Sequence, residues 1–249
     1  MERTGRWLFG IPWIGVGCQH LIYAEFVSNI VPAYMPWRIG WVYITAICMI
    51  AAGIAILSGK WIIQATRMLS LMMALFLIMV HPTLLIPEPG VIMHWTRFLQ
   101  DISITGVALI LGGWGHRGGR LVYAIPLIFL GAEHFWGVAY VSGRIPDWIP
   151  AKIVWDWLAG GLIMAGGVGL ALAKGRVLYR IGLGLGIVLV LLAAIYHIPV
   201  LIAEPRNGGQ WTAALLDCMI ASGCWILAAR VTDPGRYEAG SVWSVSNFL

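Results

Sequence analysis

Charge is what this sequence has least of. Only 11% of its 249 residues are Asp, Glu, Lys or Arg, against about a quarter in an ordinary soluble domain. A chain so poor in charge excludes a water-soluble fold. Cysteine is also sparse. Cys18, Cys48, Cys218 and Cys224 show no CxxC and no zinc-type spacing, so they read as small apolar side chains inside a membrane core. No run of basic residues exists either. The formal charge of +5 and the pI near 9.2 come from Lys and Arg scattered through loops, which argues against nucleic acid as a partner. Glycine-rich stretches such as Gly182-Leu183-Gly184-Leu185-Gly186 follow no strand. They read as small-residue helix packing and not as dinucleotide binding.

What the chain has is apolar length. It is 60% hydrophobic with a mean hydropathy of +0.84, and it offers eight apolar stretches close to the roughly 20 residues that span a bilayer as a helix. Fourteen Trp residues suit the aromatic belts at the two lipid–water interfaces. The expected class is an all-α integral membrane protein with the lipid bilayer as its first partner.

An internal repeat organises those eight stretches. Gly5-Arg6, Ile11-Pro12, Gly17 and His20 recur as Gly119-Arg120, Ile125-Pro126, Gly131 and His134, a shift of 114. Pro32, Pro36, Trp41 and Lys60 meet Pro146, Pro150, Trp155 and Lys174 at the same shift. Beyond Lys174 the shift becomes 116, pairing His81 with His197, Glu88-Pro89 with Glu204-Pro205, Trp95-Thr96 with Trp211-Thr212 and Asp101 with Asp217. The expected organisation is one four-helix unit over 1–116, a second over 117–232, and a tail over 233–249. Helices are expected over 7–29, 39–58, 62–86 and 96–112, then 121–143, 152–173, 177–203 and 211–230. Four is even, so the two units are parallel repeats about an axis along the membrane normal. Cleavage at Gly15-Val16-Gly17-Cys18 is not expected, because it would destroy the first helix of the repeat. Eleven of the sixteen Lys and Arg lie on the side holding both termini. By the positive-inside rule that side is the cytoplasm and the bilayer is the cell (inner) membrane.

Ionisable residues inside the apolar stretches are costly and so are candidates for function. His20 and His81 each lie 14 residues past an Arg at a helix start, which at about 1.5 Å per residue puts both roughly 20 Å from the cytoplasmic edge. Asp101 comes to a similar height on a descending helix. His134, His197 and Asp217 repeat the pattern in the second unit. Glu133 and Asp156 occur in the second unit only, where the first has Gln19 and Val42. His94 and His116 are expected in loops. Three readings of the cluster stand beside one another. The first is interhelical hydrogen bonding that holds the bundle together. The second is a cofactor site, with His20 and His81, and His134 and His197, as ligands of a haem b or donors to a quinone. In that reading Asp101, Asp217 and Glu133 complete the site, and Gly17 and Gly131 leave room for a flat ring. The third is a proton relay or a substrate path.

Gly131-Ala132-Glu133-His134-Phe135, the Ile145-Pro146-Asp147-Trp148-Ile149-Pro150 loop, Trp155, His197 with Pro199, and Trp211 through Asp217 resemble the DoxX-like family of four-helix membrane proteins. The resemblance spans both copies, about 5–112 and 119–230, and is better in the second. Members of that family are usually single units, so the fusion implies a covalent form of a dimer. Its namesakes are linked to a membrane thiosulfate:quinone oxidoreductase. The resemblance therefore implies a quinone- or haem-linked redox subunit, working with other membrane redox subunits. A transporter and a structural subunit of a larger complex are the alternatives.

Overall fold

The computed structural model describes residues 1–143 and 145–232, and the expected tail, 233–249, lies outside them. Among the described residues there is no strand. The helices are α1 (Glu2–Ile22), α2 (Ala24–Ser28), α3 (Arg38–Ser58), α4 (Ile62–Met79), α5 (His81–Leu85), α6 (Ile92–Leu111), α7 (Arg120–Trp136), α8 (Val138–Ser142), α9 (Lys152–Leu172), α10 (Gly175–Ala203) and α11 (Gly208–Thr232). Five segments of the described chain are long and apolar enough to cross a membrane: Arg38–Ser58, Ile62–Leu85, Lys152–Leu172, Gly175–Ala203 and Gly208–Thr232.

The helix boundaries follow local chemistry. Pro12 and Pro126 lie within α1 and α7, which continue through them. Pro82 supplies no backbone N–H, and it sits in the first turn of α5, just after the break at Val80. The corresponding stretch of the second half carries Ile198 in place of Pro82, and α10 runs unbroken through His197. His94 falls in the first turn of α6 and not in a loop, because Val91 already enters the helix with extended backbone.

Residues 114 or 116 apart make the same contacts. A Cβ on Gly17 would lie 2.6 Å from Ile50 Cγ1 and 2.9 Å from the Ala46 carbonyl. One on Gly131 would lie 2.6 Å from the Met164 amide and 2.7 Å from the Gly160 carbonyl. Gly53 and Gly167 answer them from the facing helices, at 2.7 Å from the Gly10 carbonyl and 3.1 Å from the Ala124 carbonyl. The α1–α3 and α7–α9 crossings are thus the same close, glycine-lined approach. Glycine at 17 and 131 is filled by the neighbouring helix, which corrects the expectation that it leaves room for a planar ring. Even the turns agree. Trp37 and Ala151 precede α3 and α9 at φ 54° and 52°, and Trp61 and Gly175 stand between the next pair at φ 55° and 53°.

The innermost elements are α6 and α11. α6 packs on α4 and α7, α11 packs on α10 and α1, and the two touch each other. The first helix of each half therefore lies against the last helix of the other. Of α11's most apolar stretch 61% is enclosed, against 22–39% for the other four candidate spans, which identifies it as a central helix. The exterior is apolar: Ile47, Leu71, Ile78, Leu158, Leu172 and Ile202 all face outward, a surface that suits lipid tails and not water.

Candidate functional site

The helix spacing that puts His and Asp at one level brings most of them into direct contact. His81 opens α5 and reaches Asp101 on α6, Nε2 to Oδ2, at 2.8 Å. Its counterpart His197 on α10 reaches Asp217 on α11 by the same atoms at 2.9 Å. His134 on α7 joins Asp156 on α9, Nδ1 to Oδ1, at 2.6 Å. His20 has no such partner, because Val42 stands where the second half has Asp156. Its Nδ1 turns to the Val16 carbonyl of its own helix, 2.9 Å away.

The partners of each ring define its proton. Arg97 can only donate, and it donates to Gln100 Oε1 at 2.9 Å. That contact turns the Gln100 amide group toward Asp217 Oδ1, also 2.9 Å away. On the other side Gln210 Nε2 approaches His197 Nδ1 at 2.8 Å. With the amide donating, Nδ1 accepts, and Nε2 carries the proton given to Asp217. Asp217 thus receives two donors and forms the middle of a line Arg97–Gln100–Asp217–His197–Gln210 that crosses between the halves. The first half has no such line. Leu216 and Ala213 occupy the places of Gln100 and Arg97, and His81 Nδ1 is buried with no hydrogen-bond partner among the described residues.

His134 and Asp156 form the most enclosed pair. Asp156 is fully buried, and its Oδ2 has no hydrogen-bond partner among the described residues. A Cβ on Gly160 would lie 2.5 Å from His134 Cβ, so glycine at 160 lets the imidazole settle onto α9. Tyr196, next to His197, lies within electrostatic reach of both Asp156 and Asp217.

Glu133 goes elsewhere. Although it neighbours His134 in sequence, its Oε2 accepts from Thr96 Oγ1 on α6, in the other half, at 2.8 Å. The same bond is repeated on the opposite side, where Thr212 Oγ1 donates to Gln19 Oε1 at 3.0 Å. Both are ties between halves, and neither is part of the His–Asp contacts described above.

His81, His134 and His197 each hold a carboxylate of another helix, whereas His20 bonds to a carbonyl of its own helix. An axial ligand to haem iron must offer a free ring nitrogen lone pair. Both nitrogens of His197 are engaged, whereas His81 holds Asp101 through Nε2 and has no partner at Nδ1 among the described residues. No group of three or more His, Cys, Asp and Glu side chains with metal-holding geometry occurs among the described residues. The cysteines divide. Cys224 is buried with its Sγ 3.0 Å from the Tyr123 hydroxyl, whereas Cys18 and Cys48 face outward.

Sequence reasoning missed Arg97, Gln100, Gln210 and Tyr196. A signal was present for the first three: each is a polar residue on an apolar helix at a place where the repeat holds a different residue. Tyr196 carried none beyond its place beside His197. No family model, curated protein or solved structure matches this chain.

Proposed function

We propose that this is a membrane protein of eight spans, built as two parallel four-helix repeats with both termini in the cytoplasm, and that it couples proton binding to solute transport. The observation that carries the reading is the pairing itself. Three intramembrane histidines each hold a carboxylate of another helix at 2.6–2.9 Å. Intramembrane carboxylate–imidazole pairs are the usual material of proton relays. A proton added to either member changes the tie between two helices, so its arrival alters helix packing. The ties at α5–α6 and α10–α11 lie beside the α6–α11 contact, where movement between the halves would be felt.

A pH jump on proteoliposomes adsorbed to a solid-supported electrode tests this reading without knowledge of the solute. Wild-type protein should give a transient charge displacement as protons bind. Asp217→Asn and Asp101→Asn should each remove a large part of it while the protein still elutes as a single monodisperse peak. A wild-type signal no larger than that of empty liposomes would overturn the reading.

One observation favours a second reading, a quinone-linked redox subunit, which the resemblance to the DoxX-like family also supports. His134 is held to Asp156 through Nδ1, and its Nε2 makes no hydrogen bond to any described residue. With the proton on Nδ1, Nε2 is a base oriented by a carboxylate, suited to receive a proton from a hydroquinone hydroxyl. Decylubiquinol should then raise the melting temperature of the wild type and not of His134→Gln. Equal behaviour of the two proteins would discard the second reading.

A further inference from the structure

The two ends of the interface between the halves are built differently, and the difference leaves one cleft open. Beside Glu133, between α6, α7 and the turn before α6, lies a cleft of about 500 Å³ walled by Trp95, Leu99, Phe129 and Trp136. That size falls within the usual range for small-molecule sites. The corresponding place on the opposite side is closed. There Tyr23 packs on Gly208, its Cε2 3.0 Å from where a Cβ would be, and its hydroxyl donates to the Arg206 carbonyl at 3.4 Å. Gln19 donates to the Gly208 carbonyl at 3.1 Å, and Leu215 packs against Gly15. At the open end the residues matching Tyr23, Gln19 and Gly15 are Gly137, Glu133 and Phe129. A closing ring has become glycine, a neutral amide has become a carboxylate, and an aromatic wall has been added.

Glu133 is 5% exposed. Its contacts among the described residues are one neutral hydrogen bond, from Thr96, and no ion pair. A carboxylate taken out of water with a single neutral donor lacks the compensation its charge requires. The faces of Trp rings attract cations. Trp95 is fixed by its Nε1 bond to the Pro89 carbonyl at 2.9 Å, and Trp136 and Phe129 are 64% and 51% exposed on the apolar exterior. The cleft therefore has one wall held by a hydrogen bond, two exposed aromatic side chains on the other, and a buried carboxyl group at its base. We infer that it binds a lipophilic organic cation, with the positive centre against Glu133 and its apolar substituents between the aromatic side chains. This goes beyond the proton-coupled reading and does not depend on the His–Asp pairs.

Equilibrium dialysis of radiolabelled tetraphenylphosphonium against the purified full chain in dodecyl maltoside tests the inference. Saturable binding is expected at one site per chain, displaced by unlabelled cation and not by neutral triphenylphosphine oxide. Glu133→Gln places the first half's residue at this position and keeps an acceptor for Thr96. It should weaken binding by about tenfold or more. Trp136→Ala removes an exposed wall without touching the core and should weaken binding several-fold, so the test survives if the Glu133 variant fails to fold. His197→Gln should bind as wild type does. Absence of saturable binding, competition by the neutral oxide equal to that by the cation, or unchanged affinity in both Glu133→Gln and Trp136→Ala would each overturn the inference.

Discussion

The two halves of this chain share their backbone contacts and differ in their polar ones. Both cross their first two long helices through glycines at matching places, and both put a His–Asp pair between their last two long helices. The second half alone adds Asp156 beneath His134, a cross-half donor to Asp217 and a carboxylate at 133. The shared contacts are those any such bundle needs in order to pack. The added ones bury charge, which costs stability unless it is compensated. The difference makes the second half the one in which buried polar contacts accumulate.

The largest contrast should come from the two first-helix histidines. His134→Leu leaves Asp156 buried without its hydrogen-bond partner and should cost about 3–5 kcal/mol. His20→Leu loses one bond to a backbone carbonyl and should cost about 0.5–1.5 kcal/mol. Thermal unfolding in detergent reads both. Adding Asp156→Val to His134→Leu copies the first half's Val42 and should restore most of the loss. Failure of that rescue would mean that Asp156 is compensated by something other than His134.

Next in size is overpacking at the shared crossings. Gly17→Ala and Gly131→Ala each put a Cβ about 2.6 Å from the facing helix and should each cost about 1–3 kcal/mol. The two losses should agree, and a markedly unequal pair would show that the crossings are not equivalent under strain.

A smaller effect separates the two equivalent carboxylates. Asp217 holds two donors and Asp101 has one side-chain partner, so Asp217→Ala should be the costlier by about 1 kcal/mol. In a double-mutant cycle Gln100→Leu and Asp217→Asn should couple by at least about 0.5 kcal/mol. The corresponding cycle of Leu216→Ala with Asp101→Asn should show no coupling.

The smallest expected contrast concerns the left-handed turn. Gly175→Ala should cost about 1 kcal/mol because its φ is 53°. At the matching place Trp61 already carries a side chain at φ 55°, so Trp61→Gly should relieve backbone strain of similar size while giving up whatever the exposed indole contributes. A stabilised Trp61→Gly alongside a destabilised Gly175→Ala would show that this turn is set by tertiary packing in both halves.

Much of the fold was legible because its determinants are local. Long apolar runs, the glycine that ends α3 and the prolines at fixed spacings marked helix ends to within a few residues over most of the chain. α6 begins at Ile92 and not at the expected 96, because nothing in Val91-Ile92-Met93-His94 punctuates the sequence. The interruptions at Tyr23 and Gly137 were invisible, since neither carries a proline. At the candidate site the ionisable residues and their common depth were visible, but their partners were not. Position along a helix axis fixes a residue's height but not which way its side chain turns around the axis. Glu133 shows this limit plainly: one residue from His134, it lies about 100° around the helix and meets a different neighbour.

By itself the sequence determined that this chain is helical and apolar, that its halves repeat, and that His and Asp recur at matching heights, because those properties are carried by composition and spacing along single helices. Only the tertiary structure decided that histidines pair with carboxylates and not with each other, that Gly17 and Gly131 receive a helix and not a ring, and that one end of the interface is closed by Tyr23 while the other stays open beside Glu133. Those outcomes depend on how helices far apart in the chain are rotated against one another, and rotation is fixed by packing across the bundle.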